Sequence, residues 1–136
     1  MEKKPAMWSD RGMKTINAII NQASAAPWSS WLRALEQAGH AINRVDAATV
    51  ETEAWYELEG DTMLLDGMVP RLGTLILLLH DRFPDMKIIV ATEYGSFSVY
   101  YEVQHLGKAT YISGPMSKRE FVEAVRRLTG RAEVLA

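Results

Sequence analysis

The chain has 136 residues, enough for one domain with a proper core and too few for two ordinary ones. Hydrophobic residues make up 48% and charged residues 24%, a globular balance. A net charge of -2 gives no field that would steer nucleic acid to the chain, and zero cysteines exclude disulfides, thiolate zinc sites and cysteine nucleophiles.

Residues 1–13 mix Lys, Pro, Ser, Asp and Gly without period and read as an N-terminal extension. No apolar stretch follows their basic residues, so they do not read as a signal peptide. The longest apolar run, Leu75 to Leu79, is far too short to span a bilayer. A cytoplasmic protein with no membrane contact is expected.

Thr15 to Ile20 is the first predicted strand. Trp28, Trp31, Leu32 and Leu35 then fall at i, i+3, i+4 and i+7, which predicts a helix over 28–38 ending at Gly39. Residues 41–45 predict a weaker strand towards a sheet edge. Asp46 caps an expected helix over 48–58. Met63 to Leu65 predicts a central strand ending at Asp66. Residues 72–83 predict a helix, although Leu75 to Leu79 is apolar on every side. Residues 88–91 predict the fourth strand, 96–106 an aromatic helix with Phe97, Tyr100 and Tyr101, and 109–112 the fifth strand. Ser117 and Glu120 form a capping box for a last helix over 118–129, which Gly130 is expected to end. Residues 131–136 read as a tail or the start of a linker. Met63, Met68 and Met86 read as core filling.

Strands and helices therefore alternate five times over residues 14–130. That order predicts an α/β fold with a doubly wound, five-stranded parallel sheet, a (βα)5 flavodoxin-like three-layer sandwich. In an open sheet of this kind the site lies at the carboxyl ends of the strands. Asp66, Thr92 and Ser113-Gly114 are expected to meet there.

These pieces resemble the receiver domain of bacterial two-component response regulators, the CheY-like fold. Asp66 with Pro70 four residues on is similar to the phosphoacceptor strand and its loop. Thr92 stands where that family has its switch Thr or Ser, and Tyr111 where it often has a switch aromatic. The resemblance implies a phosphoryl group taken onto Asp66, helped by magnesium on an acidic pair and by a lysine. Two of those parts are missing. The acidic pair falls on Gln22 and Ala23, or on Asn21 and Gln22 after a slip of one, and no acid occurs from Thr15 to Leu35. The lysine position is Gly114. Neutral oxygens in place of two charges weaken magnesium binding.

Asp66 then has two readings: a polar strand end, hydrated or bonded to loop amides, or a phosphoacceptor working by an atypical route. On the first reading Asp66→Asn is expected to leave partner binding unchanged and to stabilise the fold mildly by removing an unpaired charge. The resemblance implies a non-enzymatic pseudo-receiver that acts by protein contact without aspartyl phosphorylation. Its setting would be the regulatory domain of a transcriptional response regulator, with a protein partner or a second copy bound and no cofactor. The contact face implied by the family is the helix over 96–106, the fifth strand and the last helix. On it Tyr94, Tyr100, Tyr101, Lys108, Lys118, Arg119, Arg126 and Arg127 are expected at an interface. A phosphorylatable receiver and a small-molecule sensor, with a ligand among Asn21, Gln22, Asp66, Thr92 and Gly114, are the alternatives. His40, His80 and His105 lack ligand spacing, so no metal site is expected. No serine sits in a nucleophile elbow, and no Gly-rich phosphate loop follows the first strand.

Overall fold

The computed structural model describes residues 15–21, 25–46, 61–114 and 116–135. Its strands are β1 (Thr15–Ile20), β2 (Ala41–Asp46), β3 (Thr62–Asp66), β4 (Lys87–Thr92) and β5 (Thr110–Ser113). Its helices are α1 (Ala25–Gln37), α2 (Leu72–Arg82), α3 (Phe97–Leu106) and α4 (Lys118–Leu135). The strands form one parallel sheet in the order β2-β1-β3-β4-β5. The doubly wound five-stranded α/β fold expected from the alternation is what forms. The helix expected over 48–58 lies outside the described residues.

Alternation along the central strands divides the core in two, because successive side chains of a strand point to opposite faces. Ile19, Met63, Leu65 and Val90 pack with Leu72, Ile76 and Leu79 of α2 and Val103 of α3. Ile16, Ala18, Leu64, Ile89 and Ala91 pack on the other face with Trp28, Trp31, Leu32 and Leu35 of α1 and Phe121 and Val125 of α4. Each core therefore has helices on one side and the sheet on the other. Strand β3 is buried along its whole length, as a continuous apolar run between two helical layers must be.

The first-helix tryptophans pack against α4. Trp31 stacks on Phe121 with ring centroids 4.5 Å apart and planes 11° from parallel. Trp28 meets both rings edge-on, at 5.2 and 5.8 Å. This three-ring cluster joins the first helix to the last.

One polar group crosses the sheet inside the first core. Asn17 is fully buried in β1. Its amide nitrogen donates to the Thr62 carbonyl of β3 at 3.1 Å, and its oxygen accepts from Asn43 of β2 at 2.8 Å. Three strands are tied by one side chain.

The start of α2 has no side-chain cap, Arg71 standing there at φ 53°, while the ends of α3 and the start of α4 follow their local signals. Ser96 caps α3 by accepting from Val99 N–H at 3.3 Å, and Gly107 ends it at φ 67°. The capping box forms, with Ser117 N–H donating to Glu120 at 2.8 Å and Glu120 N–H to Ser117 at 3.1 Å. Gly130, however, does not end α4, which runs on to Leu135. A glycine costs about 1 kcal/mol inside a helix, too little to stop one flanked by Arg, Ala, Glu and Leu. Met68 also departs from expectation, being 56% exposed rather than core filling. It sits on the turn after β3, where the chain has already left the sheet.

The ring cluster sets the first test. Phe121→Ala is expected to lower stability by about 3–5 kcal/mol, since it empties a closed site between two rigid indoles. Urea unfolding measures it; a loss under 1 kcal/mol would show that the cluster is not a unit.

Candidate functional site

The carboxyl ends of the strands bring Asn21, Asp66, Thr92, Ser113 and Gly114 to one edge of the sheet. Asp66 is paired with Ala91 in register, and Thr92 with Ser113. The expected convergence is present, and its detail is unlike an open anion pocket.

Asp66 is fully buried. Its Oδ2 accepts the backbone N–H of Asn21 at 3.0 Å, and its Oδ1 accepts that of Met68 at 2.9 Å. The Asn21 side chain donates in turn to the Met68 carbonyl at 2.8 Å. The loop after β1 and the loop after β3 thus close over the carboxylate. The charge is not unpaired, because two amide donors answer it. Gln22 and Ala23, the positions of the acidic pair, lie outside the described residues. Among the described residues no three His, Asp or Glu side chains come together as a metal-binding group.

Thr92 is buried and turned away from Asp66. Its hydroxyl donates to the Tyr94 carbonyl at 2.7 Å and lies 2.7 Å from the Tyr111 hydroxyl. A threonine hydroxyl has one proton, so Tyr111 must be the donor in that second contact. Tyr111 accepts in its turn from the N–H of Ser96 at 3.2 Å. The result is a directed chain from Ser96 N–H through Tyr111 and Thr92 to the Tyr94 carbonyl. The methyl of Thr92 faces the Asp66 loop: a Cβ added at Gly67 would stand 2.5 Å from it.

Gly114 explains why no lysine stands there. A Cβ at this position would run into the carbonyl oxygen of Glu93 and lie 2.8 Å from the N–H nitrogen of Met116. Both obstacles are backbone. Gly114 N–H donates to the Thr92 carbonyl at 3.0 Å, which holds the approach. The backbone here excludes every side chain.

Solved structures share this architecture. A response regulator from Thermotoga maritima is 19% identical, with a TM-score of 0.70 over 87% of this chain and 98% of that one. A CheY-like receiver domain protein from Methanospirillum hungatei is 22% identical, with a TM-score of 0.69 over 91% and 99%. The fold is the CheY-like receiver fold. A beryllofluoride-activated NtrC4 receiver domain, solved as a dimer, has it too, at 22% identity and a TM-score of 0.66 over 85% of this chain and 95% of that one. No protein-family model and no curated protein matches the sequence. Asp66 and Thr92 are the last residues of β3 and β4, and Tyr111 is the second residue of β5.

The expected interface residues divide into two surfaces. Tyr94, Tyr100 and Tyr101 are exposed on and before α3, and Lys108 follows its C-cap. Lys118, Arg119, Arg126 and Arg127 are exposed on α4. There Lys118, Arg119 and Arg126 border a shallow groove with Ala34 and Gln37 of α1. Phe97, expected only as part of an aromatic helix, is the most exposed large apolar residue among the described residues. Its i, i+4 spacing to Tyr101 was the available signal.

The geometry reverses one expectation. Asp66→Asn is expected to destabilise the domain by about 1–3 kcal/mol, because an amide offers one acceptor where two N–H groups need one each. Equilibrium unfolding of the variant checks the sign, and a gain in stability would mean that the two amide bonds are not held. Gly114→Ala is expected to cost about 1–3 kcal/mol by overpacking. Gly95→Ala, whose Cβ would meet only the Ser113 hydroxyl at 3.9 Å, serves as the control. It is expected to be neutral or slightly stabilising. Equal melting shifts in the two glycine variants would refute the close-approach account.

Proposed function

We propose that this chain is a receiver-fold signalling domain that works by protein contact and does not pass phosphate through Asp66. One observation carries the reading: Asp66 has no exposed surface, and each of its oxygens is held by a loop amide. A phosphodonor would have to reach a nucleophile that Asn21 and Met68 cover. Two features support it further. The segment from Thr15 to Leu35 has no acid to hold magnesium, and the Gly114 backbone leaves no room for a lysine. Thr92 also gives its hydroxyl to Tyr94 and Tyr111 rather than to the Asp66 loop.

The domain is not an enzyme on this reading and needs no cofactor. Its place is the cytoplasm, as the regulatory domain of a transcriptional response regulator, and what it transmits is occupancy of a surface by another protein. No helix among the described residues is long and apolar enough to cross a membrane.

Isothermal titration with magnesium, then with magnesium and beryllofluoride, tests the proposal directly. No saturable heat is expected at several-millimolar magnesium. Saturable binding that Asp66→Asn abolishes would overturn it and restore a phosphate-accepting receiver.

A further inference from the structure

Among the described residues the exposed large apolar side chains stand on α2 or on and just before α3, apart from Met68 on the turn after β3. Phe97 is 78% exposed, Tyr94 65%, Tyr101 61%, Leu78 49%, Leu77 46% and Tyr100 45%. On α4 the apolar Phe121 and Val125 are buried, and the exposed positions from Lys118 to Arg127 are all charged. The rings of α3 form a ladder. Phe97 stacks on Tyr101 with centroids 6.1 Å apart, and Tyr101 stacks on His105 at 6.1 Å. Leu77 and Leu78 are exposed on the neighbouring helix α2. Both helices return between parallel strands and therefore run the same way. A Cβ at Gly73 of α2 would meet the Glu102 carboxylate of α3, so these two positions lie side by side. Leu77, one turn beyond Gly73, then falls beside the α3 turn that carries His105.

We infer that this α2–α3 face binds the same face of a second copy of the chain, with the two α3 helices antiparallel about Tyr101. The inference rests on the protein-contact reading above and names the partner. Three features of the face fit a second copy. The first is area. Aromatic side chains bury about 150–250 Å² each, so these rings and the two half-exposed leucines offer roughly 600 Å² of apolar surface. A standard interface needs about 800 Å² per partner, polar rim included. The second is the ladder, which is self-complementary. Phe97 and His105 each stand four residues from Tyr101, so a two-fold axis there sets Phe97 of one copy against His105 of the other. The third is charge. Glu93 lies eight residues before Tyr101 and Lys108 seven after it, and both are exposed. The same axis brings each Glu93 towards the Lys108 of the other copy, twice per dimer. Stacked rings at the centre with opposite charges at the rim are the arrangement found in specific interfaces.

Sedimentation equilibrium on the whole chain tests this, with circular dichroism melts to confirm that each surface variant is folded. A reversible dimer is expected. Tyr101→Glu should raise its dissociation constant about 30-fold or more, as loss of a central aromatic anchor does. Glu93→Lys and Lys108→Glu should each weaken the dimer several-fold, and the double variant should recover most of the loss. A chain that stays monomeric at several hundred micromolar would overturn the inference and leave the face to a different protein. A dimer indifferent to Tyr101→Glu, or abolished by Arg126→Glu with Arg127→Glu, would overturn it in favour of α4. None of these results bears on magnesium and beryllofluoride binding, so a failure of the dimer and a failure of the protein-contact reading are told apart.

Discussion

A carboxylate with no exposed surface must have its charge answered from inside the protein. At Asp66 two backbone N–H groups do so, one from each of the loops that follow β1 and β3. Burying such a group alone would be prohibitive, and burying it with two amide donors is tolerable. The constraint reaches outward from there. Asn21 must leave β1 with its N–H aimed across the sheet end. Met68 must turn back over the carboxylate, which exposes its side chain. The site edge of the sheet is shaped by the need to solvate one charge without water.

The neighbouring positions have settled into the same closed state. Gly67 lets the Thr92 methyl approach the Asp66 loop, and Gly114 lets the chain pass against the Glu93 carbonyl. A glycine beside a flexible obstacle can be replaced at small cost, as at Gly73, where the Glu102 carboxylate can swing away. A glycine against backbone cannot. The lysine position is therefore lost in the main chain as well as in the side chain. The Ser96–Tyr111–Thr92–Tyr94 hydrogen bonds add a second restraint, since each hydroxyl has its one proton and its acceptor role assigned.

Much of this was legible in the sequence. The strands read clearly because β1, β3 and β4 are short, largely apolar runs, and β3 and β4 end at polar residues. Asp66 and Thr92 stand at the ends of β3 and β4, where the short apolar runs put them. The bonds to Asp66 could not be read, since a backbone N–H at Asn21, forty-five residues away, leaves no mark in residue type. Gly114 read as an absent lysine and proved to be a close approach, which only tertiary structure reveals. Leu75 to Leu79 is apolar all round, so no period says which leucines face out. Leu77 and Leu78 do. Gly130 misled for a simpler reason: a stop signal worth about 1 kcal/mol loses to favourable neighbours.

The buried Asn17 has a consequence for strand β2. Parallel strands can slide by two residues and keep every side chain on its proper face, because the pleat repeats every two. Backbone pairing scarcely distinguishes such alignments. Asn17 does, since a slide carries Asn43 away from the Asn17 side-chain oxygen and breaks the bond between them. Its other end is held by β3, so the alignment of an edge strand is dictated from the middle of the sheet. The outermost strand has a single address, and it is written in one asparagine.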